Sequence, residues 1–540
     1  MSDTGISPQA LRDLLLGPTE LALLDVREAR WFNAGHPNLA RLAPLSVLEL
    51  QIDAFVPRRG TDVVIYDAND ADDGPAAAAA ALLRRLGYSG VRRLAGGLQA
   101  WKATGYPVID GYNTLVKAFG DGVRQRYETP VLPLAELEAR RRSGKPTTVI
   151  DARPREEYEF LSIEGARSYS GTELALRRFA HGDPEHLWAI NCFSRTRGII
   201  GTTTLRLLGR APDAVFVEDG VMAWGLRGAP VVQNAVPVDD VPAEEPAVLR
   251  GLAEDLRSRY GLKCIDASGL GRLRAESGRT LYVFDVRPLA DPAKAAARDA
   301  RHVPGGQLLM HFENLVGTRN ARIVLVDDAH LLRASITAFW LTQLNQAEVH
   351  VLEGELPPAM PARAPHEAAP DQVPDAPAAL DADPLAHLLD AGSAQVVDVG
   401  PSMDYERGHL PGAYFLLPAS LTPLEVLLPS DAAIVFTSPD GAAARLAARD
   451  ARRRWPEATV AWLKGGTQAW QARGHAVESE IRASRLLTPF DDDWGSVMRV
   501  FGPRRDAVWD AYLQWERGLG ARVARDSTVQ FRFLREPVSR

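Results

Sequence analysis

The 540-residue sequence is poor in cysteine: it has two, Cys192 and Cys264. Two cysteines cannot build a disulfide framework for a chain this long, nor supply a four-cysteine zinc site. A reduced, cytoplasmic chain is the expectation. No stretch approaches the run of about 18 apolar residues that a membrane-spanning helix requires. The opening MSDTGISPQALRDLL has no basic region leading into an apolar run, so no secretory signal is expected. A basic surplus is lacking as well. Sixty-two Lys and Arg face 69 Asp and Glu, a net charge of −7, which argues against a general nucleic-acid binder. What remains is the profile of a soluble globular protein, 24% charged and 46% hydrophobic. The length predicts roughly three to five domains.

Repetition organises the chain. Four short apolar runs end in an acid: LALLD at Asp25, TTVID at Asp151, LYVFD at Asp285 and QVVD at Asp398. Each reads as a buried parallel strand that stops at a polar loop. A second apolar run follows each, ending at Asp67, Cys192, Asp327 and Thr437, at separations of 42, 41, 42 and 39 residues. A third element brings a glycine 29, 28, 27 and 28 residues later, at Gly96, Gly220, Gly354 and Gly465. Helical patterns such as RGIIGTTTLRLLGR and AAARLAARDARRRW fill the gap. Strand, loop, helix, strand at this spacing is a βαβ unit, which implies a parallel sheet flanked by helices.

The pattern resembles the rhodanese (sulfurtransferase) family over nearly the whole chain up to about residue 478. The fourth copy carries it best, in VVDVGPSMDYERGHLPGA with Asp398, Glu406, His409 and Gly412, followed by GGTQAW. The first gives LLDVREARWFNAGHPNLA and AGGLQAW, the second IDARPREEYEFLSIEGA and NCFSRTRG, the third FDVRP and RHVPGG. The fold class expected is α/β, with four tandem rhodanese-like domains, each a central parallel sheet flanked by helices, and a short C-terminal helical tail. Boundaries are expected at 5–110, 125–234, 248–356 and 385–478. Residues 235–247 read as a linker, 357–384 as a Pro/Ala-rich spacer and 480–540 as the tail. VWDAYLQWERGL has helical periodicity, with Val508, Tyr512 and Trp515 on one stripe. It is expected to dock on the fourth domain or a neighbour.

Sulfur transfer needs a thiolate that attacks a sulfane sulfur and keeps it as a persulfide, and the resemblance puts that cysteine at the end of the second strand. Only Cys192 stands there; Asp67, Asp327 and Thr437 occupy the other three registers, marking those copies as inactive. Cys192 opens Cys-Phe-Ser-Arg-Thr-Arg-Gly ahead of a helix. Helix N-terminal amides and nearby arginines favour an anion, so a low-pKa thiol is expected. Ser194, Arg195, Thr196, Arg197 and Gly198 are the expected donors to an anionic substrate, with Arg153 at the neighbouring strand end. The bland reading is a buried, inert cysteine. Arg153 is expected to bridge Glu157, and Asp151 to brace loops. Asp219 and Gly220 are expected at the pocket edge and Trp224 in the core. The family's His-x-Pro-Gly-Ala segment is altered here to Ser162-Ile163-Glu164-Gly165-Ala166. Cys264 reads as structural filler, and His36, His302 and His409 as turn-fixing residues. Acidic loops after Asp67 and Asp327 read as solvated rather than metal-binding, and would repel an anionic donor.

The resemblance implies a thiosulfate sulfurtransferase-like transferase with no cofactor and no metal. Its partners would be a small anionic sulfur donor and a cyanide, small-thiol or protein-thiol acceptor, with neither nucleic acid nor membrane. A persulfide carrier or scaffold for a protein partner is the alternative. An oxyanion reductase or phosphatase is disfavoured, because the loop from Cys192 to Arg197 has six residues, as in the sulfurtransferase members, rather than seven.

Overall fold

Short apolar runs flanked by turn residues form strands buried on both faces, and these pair in parallel. The computed structural model describes residues 5–179, 183, 185–288, 300–356, 377–428 and 431–534. Among them four parallel sheets follow one another along the chain, with a two-stranded antiparallel ribbon beside the second. The second sheet has the order Val131–Leu132, Val215–Val217, Leu187–Asn191, Thr147–Asp151, Arg167–Ser168. The third and fourth sheets repeat that order with five strands each. The first has four strands, and a parallel bridge from Ile6 to Leu94 extends it at the equivalent edge. None of the described helices is long and apolar enough to cross a membrane.

The register decides what stands at each loop. Asp25 pairs with Tyr66, Asp151 with Asn191 and Asp285 with Val326. The next residues, Asp67, Cys192 and Asp327, therefore open equivalent loops. In the fourth sheet Asp398 pairs with Thr437 itself, so Ser438, not Thr437, stands at the cysteine position. The shorter separation in that copy is the reason.

The sheets are bound together by elements with weak sequence signals. The helix Thr114–Tyr127, here called the linker helix, falls between the first two expected domains. Leu115, Val116, Phe119 and Val123 bury one stripe, and Lys117, Ala118 and Gly120 are buried as well. Phe119 and Trp340 meet edge-on at 6.1 Å, in a core that runs through the first, second and third sheets. The 235–247 stretch is ordered against the second sheet: the Tyr169 hydroxyl accepts from the Val241 amide at 2.9 Å, and Val241 is buried. The expected 357–384 spacer is largely outside the described residues. Its end is not a spacer, because Ala378–Leu380 is the edge strand of the fourth sheet and a helix follows from Ala382.

The last helix, Arg505–Val523, here called the tail helix, docks on the linker helix and on Gly220–Leu226 of the second sheet's layer, not on the fourth sheet. Its buried stripe is Trp509, Leu513, Glu516, Leu519 and Val523. The expected stripe was rotated by about one position: Val508 is half-buried, as are Tyr512 and Trp515. Close approach fixes the docking. A Cβ on Gly225 would lie 2.9 Å from the Trp509 ring, and one on Gly111 would overlap Trp515.

Candidate active site

Cys192 follows the strand Leu187–Asn191 and precedes the helix Thr196–Leu207. Its carbonyl accepts the Val221 amide at 3.0 Å, which ties the loop to the Asp219–Gly220 turn. Asp219 and Gly220 are both left-handed, with φ of 49° and 60°. Gly220 has to be glycine, because a Cβ there would lie 2.2 Å from the Cys192 carbonyl oxygen. The pair thus edges the Cys192 loop, and Trp224 is buried in the core, as expected, with its indole N–H on the Pro230 carbonyl.

The thiol is walled in. Cys192 is 3% exposed, and burial pushes its thiol up to about 11, against the pull of the Arg197 charge and the Gly198 amide. Nearby Asp151 and Glu516 push in the same direction as burial. The expected low-pKa thiolate is thus overturned: desolvation outweighs the helix terminus and the one arginine that acts on it. The walls are polar rather than hydrocarbon alone, since Ser194, Arg197, Tyr512 and Glu516 all act here.

The two loop arginines part company. Arg197 sets both terminal nitrogens on Glu157, at 2.6 and 2.7 Å, and still lends Cys192 its largest favourable charge. Arg195, expected as a donor to an anionic substrate, is paired instead with Asp121 at 2.6 Å and Asp219 at 3.7 Å. Thr196 begins the helix and packs on Gly120 of the linker helix, where a Cβ would meet its methyl at 2.9 Å. Gly198 presents its amide to the sulfur. Arg153 is buried and bonded to Asp151, at 2.9 Å through Nε and 2.7 Å through Nη2, and to the Leu161 carbonyl. The expected Arg153–Glu157 bridge is therefore corrected: Asp151 takes Arg153, and Glu157 takes Arg197. Asp151 also accepts from Asn191, the bracing role expected of it. Ser162–Ile163 of the altered segment is an antiparallel edge with Val231–Val232, and Gly165 turns with φ 74°.

Sequence reading missed the groups that roof this loop. Lys117 of the linker helix donates to the Tyr112 carbonyl at 2.6 Å and lies 5.2 and 4.9 Å from the Tyr512 and Trp515 ring centres. Burial lowers its ammonium to about 8. Tyr512 and Glu516 of the tail helix both act on Ser194. Trp509 packs edge-on against Phe193 at 5.7 Å. From the third sheet's layer comes His311, lowered to about 4 by burial and by the Arg197 charge. The one available signal was the aromatic stripe of the tail. Beside Arg197 runs a mostly apolar cavity lined by Ala152, Gly201 and Trp340.

The equivalent loops satisfy the same cradle internally. Asp67 accepts the amides of Asn69, Asp70 and Ala76 at 3.1, 2.7 and 3.0 Å. Asp327 accepts those of Asp328 and Ala334 at 2.8 and 3.0 Å. Ser438 accepts that of Ala444 at 3.3 Å. In each of these copies a carboxylate or hydroxyl of the chain thus accepts from the loop and helix amides. Asp327, Asp328 and His330 have ligand-like spacing, but Arg333 bonds all three and puts its own cation among them. Cys264 is half-buried on the third sheet's edge strand, its thiol raised by burial. His36 and His409 each set Nδ1 on a carbonyl four residues back and stack on the same ring, as turn-fixing residues do. His302 bonds the Arg287 carbonyl from a short strand rather than a turn.

The Rhodanese-like domain family model matches residues 7–104 and 381–473. A crystal structure of thiosulfate sulfurtransferase from Pseudomonas aeruginosa is 33% identical, covers 98% of this chain and all of its own, and superposes with a TM-score of 0.87. The chain belongs to the rhodanese family. A structure of the Alr3790 protein from Anabaena sp. is 31% identical over 19% of this chain and 82% of its own, with a TM-score of 0.18 over so short a piece. A search of curated proteins found no match. The two stretches that the family model matches hold the first sheet and the fourth, but for its Ala378–Leu380 edge strand.

Proposed function

We propose that this protein is a sulfurtransferase of the rhodanese type, working through a persulfide on Cys192. The observation that carries the reading is the loop itself. Of the four equivalent loop positions, Cys192 alone holds a sulfur, and it sits where the other copies place an oxygen acceptor against the helix amides. Likeness over the full length to a protein named as a thiosulfate sulfurtransferase supports the same chemistry. In this reading the chain comprises four rhodanese-like domains, the fourth beginning at the Ala378 strand. Only the second is catalytic, and the others, with the linker and tail helices, wall its site.

The Cys192 thiolate attacks the sulfane sulfur of thiosulfate or a similar anion. The donor S–S bond breaks and sulfite leaves with its electron pair. A nucleophile then takes the outer sulfur from the persulfide. Arg197 and the Gly198 amide stabilise the anionic sulfur. Arg153, Arg195 and Thr196 hold the loop in shape from outside. A 3% exposed sulfur under a packed helix favours small acceptors, cyanide or a low-molecular-weight thiol, over a protein thiol. Steady-state sulfur transfer from thiosulfate and 3-mercaptopyruvate, set beside hydrolysis of a phosphate ester and reduction of arsenate, tests it. Turnover with a sulfur donor, lost in Cys192→Ser, is the expected result. Full turnover by Cys192→Ser would overturn the assignment.

A further inference from the structure

The helix that follows the cysteine-register loop recurs in every copy, but its surroundings differ. In the second and third copies, Thr196–Leu207 and Leu332–Leu344 bury most of their residues. In the first and fourth, Pro75–Arg85 and Ala442–Arg454 keep one alanine-rich face out of the core. Those two faces line one cleft of about 440 Å³ at the seam between the first and fourth layers. Ala78, Ala81 and Leu82 come from one helix, Ala443, Leu446 and Ala447 from the other, the i, i+3, i+4 spacing of a helix stripe in both. One turn further each stripe ends in a charge, Arg85 and Asp450. Leu50 of the helix Leu45–Phe55 adds to the apolar wall and is 44% exposed. Alanine keeps both faces short, and the cleft lies where larger side chains would have met. Its volume is that of a small-molecule site, a feature common at domain seams. Apolar walls left in water gain when an apolar body covers them.

The cleft also has positive charge to spare. Glu49 gives both oxygens to Arg449, at 2.8 Å each, and lies 3.4 Å from Arg85. Asp450 takes the Arg449 Nε at 2.9 Å and Arg453 at 3.8 Å. Among the charged residues that line the cleft and their ion-pair partners, three guanidiniums therefore face two carboxylates. Arg85 is the loosely held one: its side chain is half exposed, and its carboxylate partner is already taken by Arg449. We propose that this seam is a binding site for an anionic amphiphile, its apolar body between the alanine faces and its carboxylate on Arg85. A neutral amphiphile would cover the walls but leave the surplus guanidinium unanswered, so the head group should discriminate. Such a ligand touches two layers at once. The fourth layer keeps its own core, and Arg449 on Glu49 is one of its ties to the first. An occupant would fasten the two together, because it binds only where both walls are in place.

The test is isothermal titration of the full-length protein with decanoate, kept below its micelle concentration, beside decanol of the same chain length. Wild type is compared with Arg85→Gln, Ala81→Trp and Cys192→Ser, and thermal unfolding checks each fold. Decanoate is expected to bind more tightly than decanol and to raise the unfolding temperature of the fourth layer. Arg85→Gln should weaken decanoate about five-fold, the worth of one half-exposed charge pair, and leave decanol unchanged. Ala81 is exposed, so Ala81→Trp puts an indole into the cleft without disturbing the core, and it should abolish binding of both. If Ala81→Trp fails to fold, Ala78→Trp on the same exposed face decides. No binding of decanoate to wild type overturns the proposal, and so does undiminished binding to the filled cleft. Decanoate binding that ignores Arg85→Gln overturns the anionic head. A dimer in sedimentation that Ala81→Trp breaks, with no decanoate bound, would put a second copy on the seam and overturn the proposal as well. Cys192→Ser should bind decanoate as wild type does, so this outcome and that of the sulfur-transfer assay are independent.

Discussion

Cys192 couples the chemistry of the site to the stability of the fold. Its thiol titrates near 9 when unfolded and is pushed up to about 11 by burial in the fold. Between those values the unfolded chain has lost the proton and the folded chain has kept it. The unfolded state therefore binds fewer protons, and stability falls as pH rises through this window. Below pH 9 the contribution is constant; by pH 11 about 3 kcal/mol is lost, at 1.36 kcal/mol per unit. The thermal midpoint should drop above pH 9 and drop less in Cys192→Ser. Alkylation of Cys192 by iodoacetamide should still be rising at pH 10. A plateau near pH 7 would contradict the buried thiol.

Glu157 offers the opposite handle. Its two oxygens neutralise Arg197, and its carboxyl, despite burial, is held below the usual range by that charge. Glu157→Gln should cost about 3 kcal/mol, because it leaves a largely buried guanidinium without its counter-ion. The unneutralised Arg197 should at the same time pull the Cys192 thiol down, so the alkylation profile moves toward lower pH. Denaturant melts and the alkylation profile of one variant check both effects. A stability loss with no change in profile would mean that Arg197 does not act on the sulfur.

At the scale of elements, the tail helix closes the site, and Trp509 is its wedge, fully buried between Phe193 and Gly225 with its indole N–H on the Val497 carbonyl. Trp509→Ala should cost about 3–5 kcal/mol and speed Cys192 alkylation at pH 8, as measured by mass spectrometry. Unchanged alkylation would show that the helix does not gate access. The strands and their acid-ended loops were legible because apolar runs buried on both faces are hard to mistake. The Cys192 loop was legible because one sulfur stood at a repeated position. The linker helix was not, because Lys117, Gly120, Asp121 and Gly122 break its apolar period, and the burial of Lys117 and Gly120 comes from neighbours remote in sequence. For the same reason the tail's buried face was misjudged. It carries Glu516 inward because its partner is a polar site, a preference that local periodicity does not record. Thr437 was misplaced by one residue because apolar length alone does not reveal register, and Ser438 lies one step past the paired strand end.

At the scale of the molecule, the first three sheets share one core while the fourth keeps its own. Packing through the linker helix joins residues from Ile6 to Val351 in one cluster, whereas the fourth sheet's clusters hold only residues beyond Leu380. Glu20 clamps the first and third sheets. It is 9% exposed and accepts from the Thr280 amide at 2.9 Å, the Thr280 hydroxyl at 2.7 Å, Arg279 at 2.8 Å and Arg58 at 3.1 Å. The fourth sheet meets the first through Arg449 on Glu49, both bonds at 2.8 Å, and through the 491–494 stretch over Arg30, Trp31 and Asn33. Calorimetry should therefore resolve two transitions. The one that removes sulfur transfer belongs to the first three sheets. Glu20→Ala strips a buried acceptor from the buried Thr280 amide and two part-exposed arginines and should destabilise that transition by about 1–3 kcal/mol, leaving the other in place. If both transitions move together, the fourth sheet is part of the same cooperative unit. The Glu49–Arg449 contact and the 491–494 strap would then carry more coupling than half-buried polar contacts ordinarily do.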